Sequence, residues 1–381
     1  SFPGIDIKKA VSIIESRKKL SSKFDYWAKH EDLIFTDPVA VEQSSSQVTA
    51  IHKQKFCDSG VVYDLTGGLG TDSYCFSLKN KCVVYFERNR RLFEEAEYNF
   101  KTLGIKNIRL INKEIAPDNI YGIFDMLIRE ENLTPDIIYL DPARRKIGGR
   151  RVLFLKDYEP DITRIKDNLL RYSNRILVKI SPMSDLKSAF NECGNVSNID
   201  VLSIDNECKE ILIVIDKGCN IQYGAVNISA VNYSSKKGVQ IVNFSPQEEK
   251  NSSPVYIKSA LGNYLYEPNS SILKAGAFKT TSVRYNLKKL SLNTHLYSGD
   301  NLVENFPGRV FEIKEVEDFC KSNIRNLSKK YPKVNISVRN FPIPATDLKK
   351  ILKTEDGGDI TLMGCTLDNS VKKMVICKQL F

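Results

Sequence analysis

The stretch Val61-Val62-Tyr63-Asp64-Leu65-Thr66-Gly67-Gly68-Leu69-Gly70-Thr71-Asp72 decides the fold. An apolar run too short for a helix ends in a glycine-rich turn, and a helix is expected directly behind it, over Ser73–Leu78. The pattern repeats downstream. Cys82–Glu87, Ile108–Ile111, Asp136–Asp141 and Arg175–Ile180 are further short apolar runs. Helical patterns lie between them at Leu92–Leu103, Pro117–Glu130 and Ile162–Tyr172. Alternating strands and helices predict a doubly wound α/β sheet, and near-continuous apolar strands predict a parallel one covered on both faces. Two more strands, Ile199–Ile204 and Glu210–Ile215, are separated only by Asp205–Lys209. That gap admits a hairpin and no helical crossover, so this pair is expected to be antiparallel.

Glycines in the first turn permit a tight bend and close backbone approach to a ligand. Glu87 ends the second run, 23 residues after Asp64. An acid there grips a ribose diol in nucleotide-binding sheets. The turn is not the dinucleotide fingerprint, because Thr71-Asp72-Ser73 follows Gly68-Leu69-Gly70 without a third glycine. It is not a Walker loop either, since no Gly-Lys-Ser/Thr follows. Asp64, at the head of the motif, repels a pyrophosphate and attracts a cation such as an ammonium or sulfonium. The fourth run ends in Asp141-Pro142-Ala143-Arg144-Arg145. Proline stops the ladder there and leaves Asp141 at the same sheet edge as Asp64 and Glu87. Arg144, Arg145, Lys146, Arg150 and Arg151, around Gly148 and Gly149, suit a phosphate-contacting loop or, equally plainly, a solvated basic face.

Outward from this core, residues 5–55 read as helical, with Ile7, Ala10, Val11 and Ile14 at helical spacing and a break at Asp37-Pro38. Trp27, with Phe24 and Tyr26, is read as a hydrophobic contact onto the main domain rather than a base-stacking platform. Beyond residue 216 the chain turns β-rich, with alternation in Val239–Phe244 and Val310–Ile313. The last fifty residues read strand, helix, strand, strand: Val334–Val338, Asp347–Leu352, Ile360–Met363 and Lys373–Cys377. The expected organisation is a helical region at 1–55, the sheet domain at 56–216, and a β-rich α+β region at 217–381 that ends in a compact unit at about 310–381.

The composition is that of an ordinary globular protein of two or three domains: 381 residues, 42% hydrophobic and 27% charged. No run approaches the 18 apolar residues of a membrane span. The N-terminus lacks the pattern of a secretory signal; it also lacks an initiator Met, so a native segment is expected before it. Nine scattered cysteines without a Cys-x-x-Cys pair suggest free thiols in the cytoplasm, and three distant histidines give no zinc site. A net charge of +10 suits a polyanionic partner, nucleic acid first.

Asp64 to Asp72, Glu87 and Asp141 to Arg144, in that order and spacing, resemble a class I S-adenosylmethionine-dependent methyltransferase, as does a parallel sheet closed by an antiparallel hairpin. More narrowly, the chain is similar to bacterial methyltransferases with a C-terminal THUMP-like domain. The segments that carry this are Glu42-Gln43-Ser44-Ser45-Ser46, Lys179-Ile180-Ser181-Pro182-Met183, Asn206-Glu207-Cys208-Lys209-Glu210, Tyr264-Leu265-Tyr266-Glu267-Pro268-Asn269 and Phe306-Pro307-Gly308-Arg309-Val310. The resemblance implies a Rossmann-like fold and S-adenosylmethionine as cofactor. It places Asp64 and Gly67, Gly68 and Gly70 at the methionine end of the cofactor, Thr66 and Asp72 among its contacts, Glu87 on the ribose, and Asn112, Lys113 and Glu114 at the position that meets the adenine, with Glu114 the cofactor-binding candidate. Asp141, Pro142 and Arg144 would carry catalysis, with Arg145, Lys146, Arg150 and Arg151 on the substrate. Because THUMP domains act in RNA modification, RNA is the implied partner by analogy.

Some RNA methyltransferases that alkylate pyrimidine C5 use a cysteine after strand five; here Ser181-Pro182-Met183 stands there, and Cys193 reads as structural. Direct transfer to a nitrogen of an RNA base is therefore expected, with Asp141 and the Pro142 carbonyl orienting the amine. The competing readings are a methyltransferase of a protein or small molecule, and a non-catalytic RNA-binding protein with a vestigial site. A dehydrogenase lacks its third glycine.

Overall fold

The structure, a computed structural model, describes residues 6–144, 154–258, 260–368 and 370–380. It comprises two compact units, Ser1–Ile199 with Glu210–Tyr223, and Asp200–Lys209 with Gly224–Phe381. The chain passes into the second unit at Asp200–Lys209 and again at Gly224.

From Val61 to Asp216 the main-sheet strands are β1 (Val61–Asp64), β2 (Cys82–Phe86), β3 (Ile108–Ile111), β4 (Ile137–Leu140), β5 (Arg175–Ile180), β6 (Val196–Ile204) and β7 (Glu207–Asp216). Their spatial order is β3-β2-β1-β4-β5-β7-β6. The first five are parallel, and β7 runs antiparallel to β5. Every residue of β1 and β4 is buried, which is why their sequences are continuous apolar runs rather than alternating ones. The hairpin turns on Asp205 (φ 45°) and Asn206 (φ 66°). Two consecutive left-handed residues match the twist of the strands, so the turn is tighter than the five-residue gap expected.

Strand order reverses around β1, which has β2 on one side and β4 on the other. Asp64 is in register with Tyr85 of β2 and Tyr139 of β4, so the carboxyl ends of the three strands are level. In open α/β sheets that crevice is where ligands bind. The helices α5 (Thr71–Ser77), α6 (Arg90–Thr102), α7 (Ile120–Glu131), α8 (Ile162–Leu169) and α9 (Leu186–Cys193) follow the strands.

Four helices precede the sheet: α1 (Ile7–Ser21), α2 (Asp25–Ala28), α3 (Pro38–Gln43) and α4 (Gln47–Lys53). The Asp37-Pro38 break is a helix start. The Asp37 carboxylate accepts from the Val39 and Ala40 amides, and proline occupies the first turn, where its missing N–H costs nothing. Ser46 caps α4 by accepting from the Thr49 amide. Trp27 is fully buried, with its ring edge-on to Tyr74 of α5 at 5.5 Å and stacked on Phe35 at 5.8 Å. It is a core residue that fastens the N-terminal helices onto the sheet domain.

The second unit begins with an antiparallel pair, β8 (Asn227–Ser234) and β9 (Gly238–Phe244). Its other strands are β10 (Tyr264–Pro268), β11 (Lys288–Lys289), β12 (Tyr297–Gly299), β13 (Gly308–Asp318), β14 (Asn335–Arg339), β15 (Ile360–Thr366) and β16 (Lys372–Gln379). They form a mixed sheet in the order β11-β12-β10-β13-β16-β15-β14, in which β14 and β15 are parallel. The helices α10 (Pro246–Asn251), α11 (Ser270–Ala275), α12 (Phe278–Arg284), α13 (Lys321–Lys330) and α14 (Ala345–Leu352) complete the unit. Leu327, Leu348 and Leu352 of the last two pack with Leu362, Met374 and Ile376 of the sheet. Helix α13 was not expected from sequence: its apolar stripe, Ile324, Leu327 and then Tyr331, is sparse among charged and polar residues. Among the described residues no helix is long and apolar enough to cross a membrane.

Candidate active site

The glycine-rich turn is stapled to β2. The Gly67 amide donates to the Phe86 carbonyl at 2.8 Å, and the Tyr85 hydroxyl donates to the Gly68 carbonyl at 2.6 Å. Glu87 fixes the loop from the other side. One carboxylate oxygen accepts from the Gly68 amide at 2.8 Å and the other from the Asn89 amide at 2.7 Å. A carboxylate has about four acceptor sites, so Glu87 keeps capacity for further donors. The glycine at position 67 is obligatory: a Cβ there would lie 2.0 Å from the Tyr85 ring. Gly70 opens α5 at φ +83°, in the left-handed region. Thr66 links β1 to β4 by accepting from the Asp141 amide at 2.6 Å.

These elements border a cavity of about 300 Å³. Thr66, Gly67, Gly68, Asp72, Glu87, Glu114 and Asp141 all line it, seven of the fifteen residues singled out from sequence. Ser44, Ser45 and Gln43, from the α3–α4 connection, form another wall. Glu114 is ion-paired with Arg88 at 2.9 Å.

Asp64, Gly70 and Pro142 are not among the lining residues. Asp64 is buried behind the turn, accepting from the Thr66 amide at 3.1 Å and the Ser73 hydroxyl at 2.6 Å. Burial pushes its carboxyl up to about 7, against the Ser73 hydrogen bond and with the neighbouring charge of Asp72. Its place is therefore to brace the turn. Pro142 is buried, and Ala143 reaches the cavity instead. The backbone at Arg144 pairs with Tyr158, continuing the chain away from the sheet. Arg145, Lys146, Arg150 and Arg151 lie outside the described residues.

Behind the cavity wall is a charged network that the sequence did not reveal. The Lys53 ammonium, fully buried at the end of α4, lies 2.9 Å from Asp72 and 3.0 Å from Glu210 of β7, and donates to the Ser45 hydroxyl at 2.8 Å. Asp72 also accepts from Ser45 at 2.7 Å and from the Tyr139 hydroxyl at 2.8 Å. Burial disfavours the Asp72 carboxylate, but Lys53 and Lys179 outweigh it and hold the group below the usual range. Desolvation likewise works against the Lys53 ammonium, and Asp72 and Glu210 raise its pKa despite it. Lys179 of β5 is paired with Asp141. Burial raises the Asp141 carboxyl above its ordinary value, with Lys179 opposing that rise.

Ser45, Lys179 and Glu210 fall in segments whose resemblance to the methyltransferases is quoted above, but nothing local assigns them these partners. Lys53 and Glu210 are 157 positions apart in sequence. No spacing signal marks Lys53, since α4 buries Thr49, Ala50, His52 and Lys53 while Ile51 is exposed. The cavity itself carries Asp72, Glu87, Glu114, Asp141 and Glu159 against Arg88 and Lys113. That excess of acid suits a cationic ligand and disfavours a pyrophosphate.

Comparison with known proteins agrees with this architecture. A solved structure assigned as a methyltransferase, from Porphyromonas gingivalis W83, is 33% identical, with 98% of this chain and 90% of that one covered and a TM-score of 0.88. An uncharacterized S-adenosylmethionine-dependent methyltransferase of Mycobacterium tuberculosis is 24% identical over 298 residues, 77% of this chain and 73% of that protein. An uncharacterized RNA methyltransferase of Protochlamydia amoebophila is 28% identical over 99 residues, 26% of this chain and 21% of that protein. Residues 264–307 match a ferredoxin-like domain family, and residues 308–379 match the THUMP domain-like family. The fold and the crevice at β1 are those of a class I methyltransferase. The chain belongs to the S-adenosylmethionine-dependent methyltransferases that carry a C-terminal THUMP-like domain.

Proposed function

We propose that this methyltransferase modifies a nitrogen of an RNA base by direct transfer. The observation that carries the reading is Asp141, at the end of β4, on the cavity wall, with its carboxylate aimed by Lys179. The cofactor supplies a methyl group on a sulfonium, which departs as a neutral thioether. Glu87 would hold the ribose hydroxyls with its spare acceptor sites, and the backbone of Gly67 and Gly68 would border the cofactor closely. Thr66 and Asp72 would lie toward its methionine end and Glu114 toward its adenine. The acidic lining fits the cationic sulfonium.

Asp141 accepts a hydrogen bond from the amino group of the base and points its lone pair along the line of attack. As the new N–C bond forms, positive charge grows on that nitrogen, and the Asp141 carboxylate stabilises it before the proton is released to Asp141 or solvent. A cysteine route is not favoured by the surroundings of Cys193. It is buried on α9, and burial pushes its thiol up to about 12, away from the reactive thiolate.

RNA as the substrate class is supported by the THUMP domain-like match and by the RNA methyltransferase relative. Methylation of a protein or small molecule is the alternative outcome of the same assay. Radiolabelled methyl transfer to total RNA, total protein and a metabolite extract tests the proposal, with Asp141→Ala alongside. Label in RNA that vanishes in Asp141→Ala, with S-adenosylmethionine binding retained, is the expected result. Label confined to protein or extract refutes the RNA reading, and full activity in Asp141→Ala refutes the role of the residue.

A further inference from the structure

The net charge is unevenly placed. Residues 319–353, which span α13, β14 and α14, hold nine Lys and Arg against one acid, Asp347. The segment's own charge is +8, and acids flanking it, among them Glu315, Glu317, Asp318, Glu355, Asp356 and Asp359, bring residues 308–379 as a whole to +5. Four of its cations are ion-paired: Lys330 with Glu315, Arg339 with Glu267 (which Arg309 shares), Lys349 with Asp356 and Lys350 with Asp347. The other five, Lys321, Arg325, Lys329, Lys333 and Lys353, are exposed, and none forms an ion pair among the described residues.

Lys321, Arg325 and Lys329 stand at i, i+4 and i+8 along α13, so they form one stripe. At 1.5 Å per residue the stripe is ~12 Å long with ~6 Å between successive charges. Each lies within a Debye length of the next (~8 Å at physiological salt), so their fields add instead of being screened apart. Concentrating unpaired like charges on one short helix is unfavourable for folding. A polyanion removes that cost.

From this we infer that α13 of the THUMP-like domain is an RNA-docking surface, whose Lys321, Arg325 and Lys329 engage backbone phosphates. The inference rests on the RNA reading above and deepens it by naming a surface. Two features favour a nucleic-acid backbone over a membrane. Helices that lie on membranes insert a free apolar face, whereas Ile324, Leu327 and Tyr331 of this segment pack into the domain's own core. On α14 a single apolar residue, Ile351, is exposed. Lysine-rich stripes bind phosphates as point charges and read no base edges, so this surface supplies affinity and orientation while sequence choice lies elsewhere.

The test is fluorescence anisotropy of the full chain with labelled unfractionated tRNA across a KCl series. The triple variant Lys321→Gln/Arg325→Gln/Lys329→Gln is compared with wild type and with Lys101→Gln/Lys106→Gln/Lys187→Gln, which removes the same charge from exposed sites of the first unit. At ~0.7–0.9 in the slope of log K against log[salt] per phosphate contact, losing three contacts makes the slope shallower by about 2–3 and weakens binding by roughly tenfold or more at physiological salt. The first-unit variant keeps the wild-type slope. An unchanged slope in the α13 variant, an equal loss in both variants, or binding of phosphatidylglycerol vesicles in place of tRNA overturns the inference. The radiolabel assay keeps the two proposals separable. RNA labelled normally while the α13 variant binds as wild type refutes only this surface. Slope loss in the α13 variant with no label in RNA refutes only the substrate reading.

Discussion

Removing the buried lysine at position 53 is the sharpest test of how the site is held. In Lys53→Met the side chain keeps its approximate volume, but Asp72 and Glu210 lose the cation that lies 2.9 Å and 3.0 Å away. Both carboxylates are buried, and the lysine side chain is wholly inaccessible. Breaking one partner out of a buried pair costs about 3–5 kcal/mol, because the remaining carboxylates then keep only Lys179 as counter-charge in a poorly polarisable setting. For a domain whose total stability is ~5–15 kcal/mol, that is a large fraction. It translates into a Tm lowered by roughly 6–20 °C at ~2–4 °C per kcal/mol. The pH dependence is a second, independent reading. In the wild type the Asp72 carboxyl is held below its ordinary value, so its contribution is present above that value and fades as pH falls. In Lys53→Met the Asp72 carboxyl loses the first of the cations that hold it down, so it moves upward instead. Its protonation in mild acid relieves the unpaired charge, so the gap between variant and wild type narrows as pH drops from 7 toward 4.5. Replacing all three groups, as Lys53→Met/Asp72→Asn/Glu210→Gln, restores part of the loss, since no charge is then left buried. Urea unfolding of the full chain at several pH values measures both effects. A difference below ~1 kcal/mol at pH 7, or one that does not change with pH, refutes the idea that Lys53 neutralises buried acids.

The other predictions concern the cavity. In Lys179→Gln, Asp141 loses the cation that opposes its raised pKa, so the acid limb of the kcat–pH profile moves to higher pH; Lys179→Arg keeps the limb near the wild-type position, and no movement in either variant refutes the pairing role. Gly67→Ala forces a Cβ to 2.0 Å from the Tyr85 ring, so the turn shifts by overpacking worth about 1–3 kcal/mol, and calorimetry should find S-adenosylmethionine binding lost before the fold is. Glu87→Gln removes the charge that strengthens any diol hydrogen bond, and Kd for S-adenosylmethionine should rise roughly tenfold or more; an unchanged Kd removes Glu87 from the cofactor site.

The sheet was legible because its information is local. Val61 to Asp64 and Ile137 to Leu140 are buried on both faces, so each is a continuous apolar run, and the glycines after β1 mark a bend that other residues do not make. The hairpin at Asp205 and Asn206 was legible for the same reason: too few residues separate its strands for any crossover. Helix α13 escaped because a helix that lays one sparse stripe on a core has a weak period, and its exposed positions are charged. The site divides along the same line. Thr66, Glu87 and Asp141 each terminate or follow a strand, so sheet register alone brings them to one edge. Asp64 also terminates a strand, yet its side chain is turned behind the loop toward Ser73, and strand periodicity carries no information about which side of a turn a terminal residue will face. Lys53, Asp72 and Glu210 are brought together by three separate elements, and no spacing rule links them.

That network changes how the N-terminal helices should be understood. Ser45 and Lys53 both bind Asp72, and Asp72 accepts from Tyr139 of β4, two residues before Asp141. Gln43, Ser44 and Ser45 also line the cavity. The helices are therefore built into the same hydrogen-bonded assembly as the strand that carries Asp141, with Trp27 anchoring them in the core against Tyr74. A sheet domain cut free at residue 56 would strip Trp27 from Tyr74 and leave Asp72, a residue of the cavity wall, without Lys53.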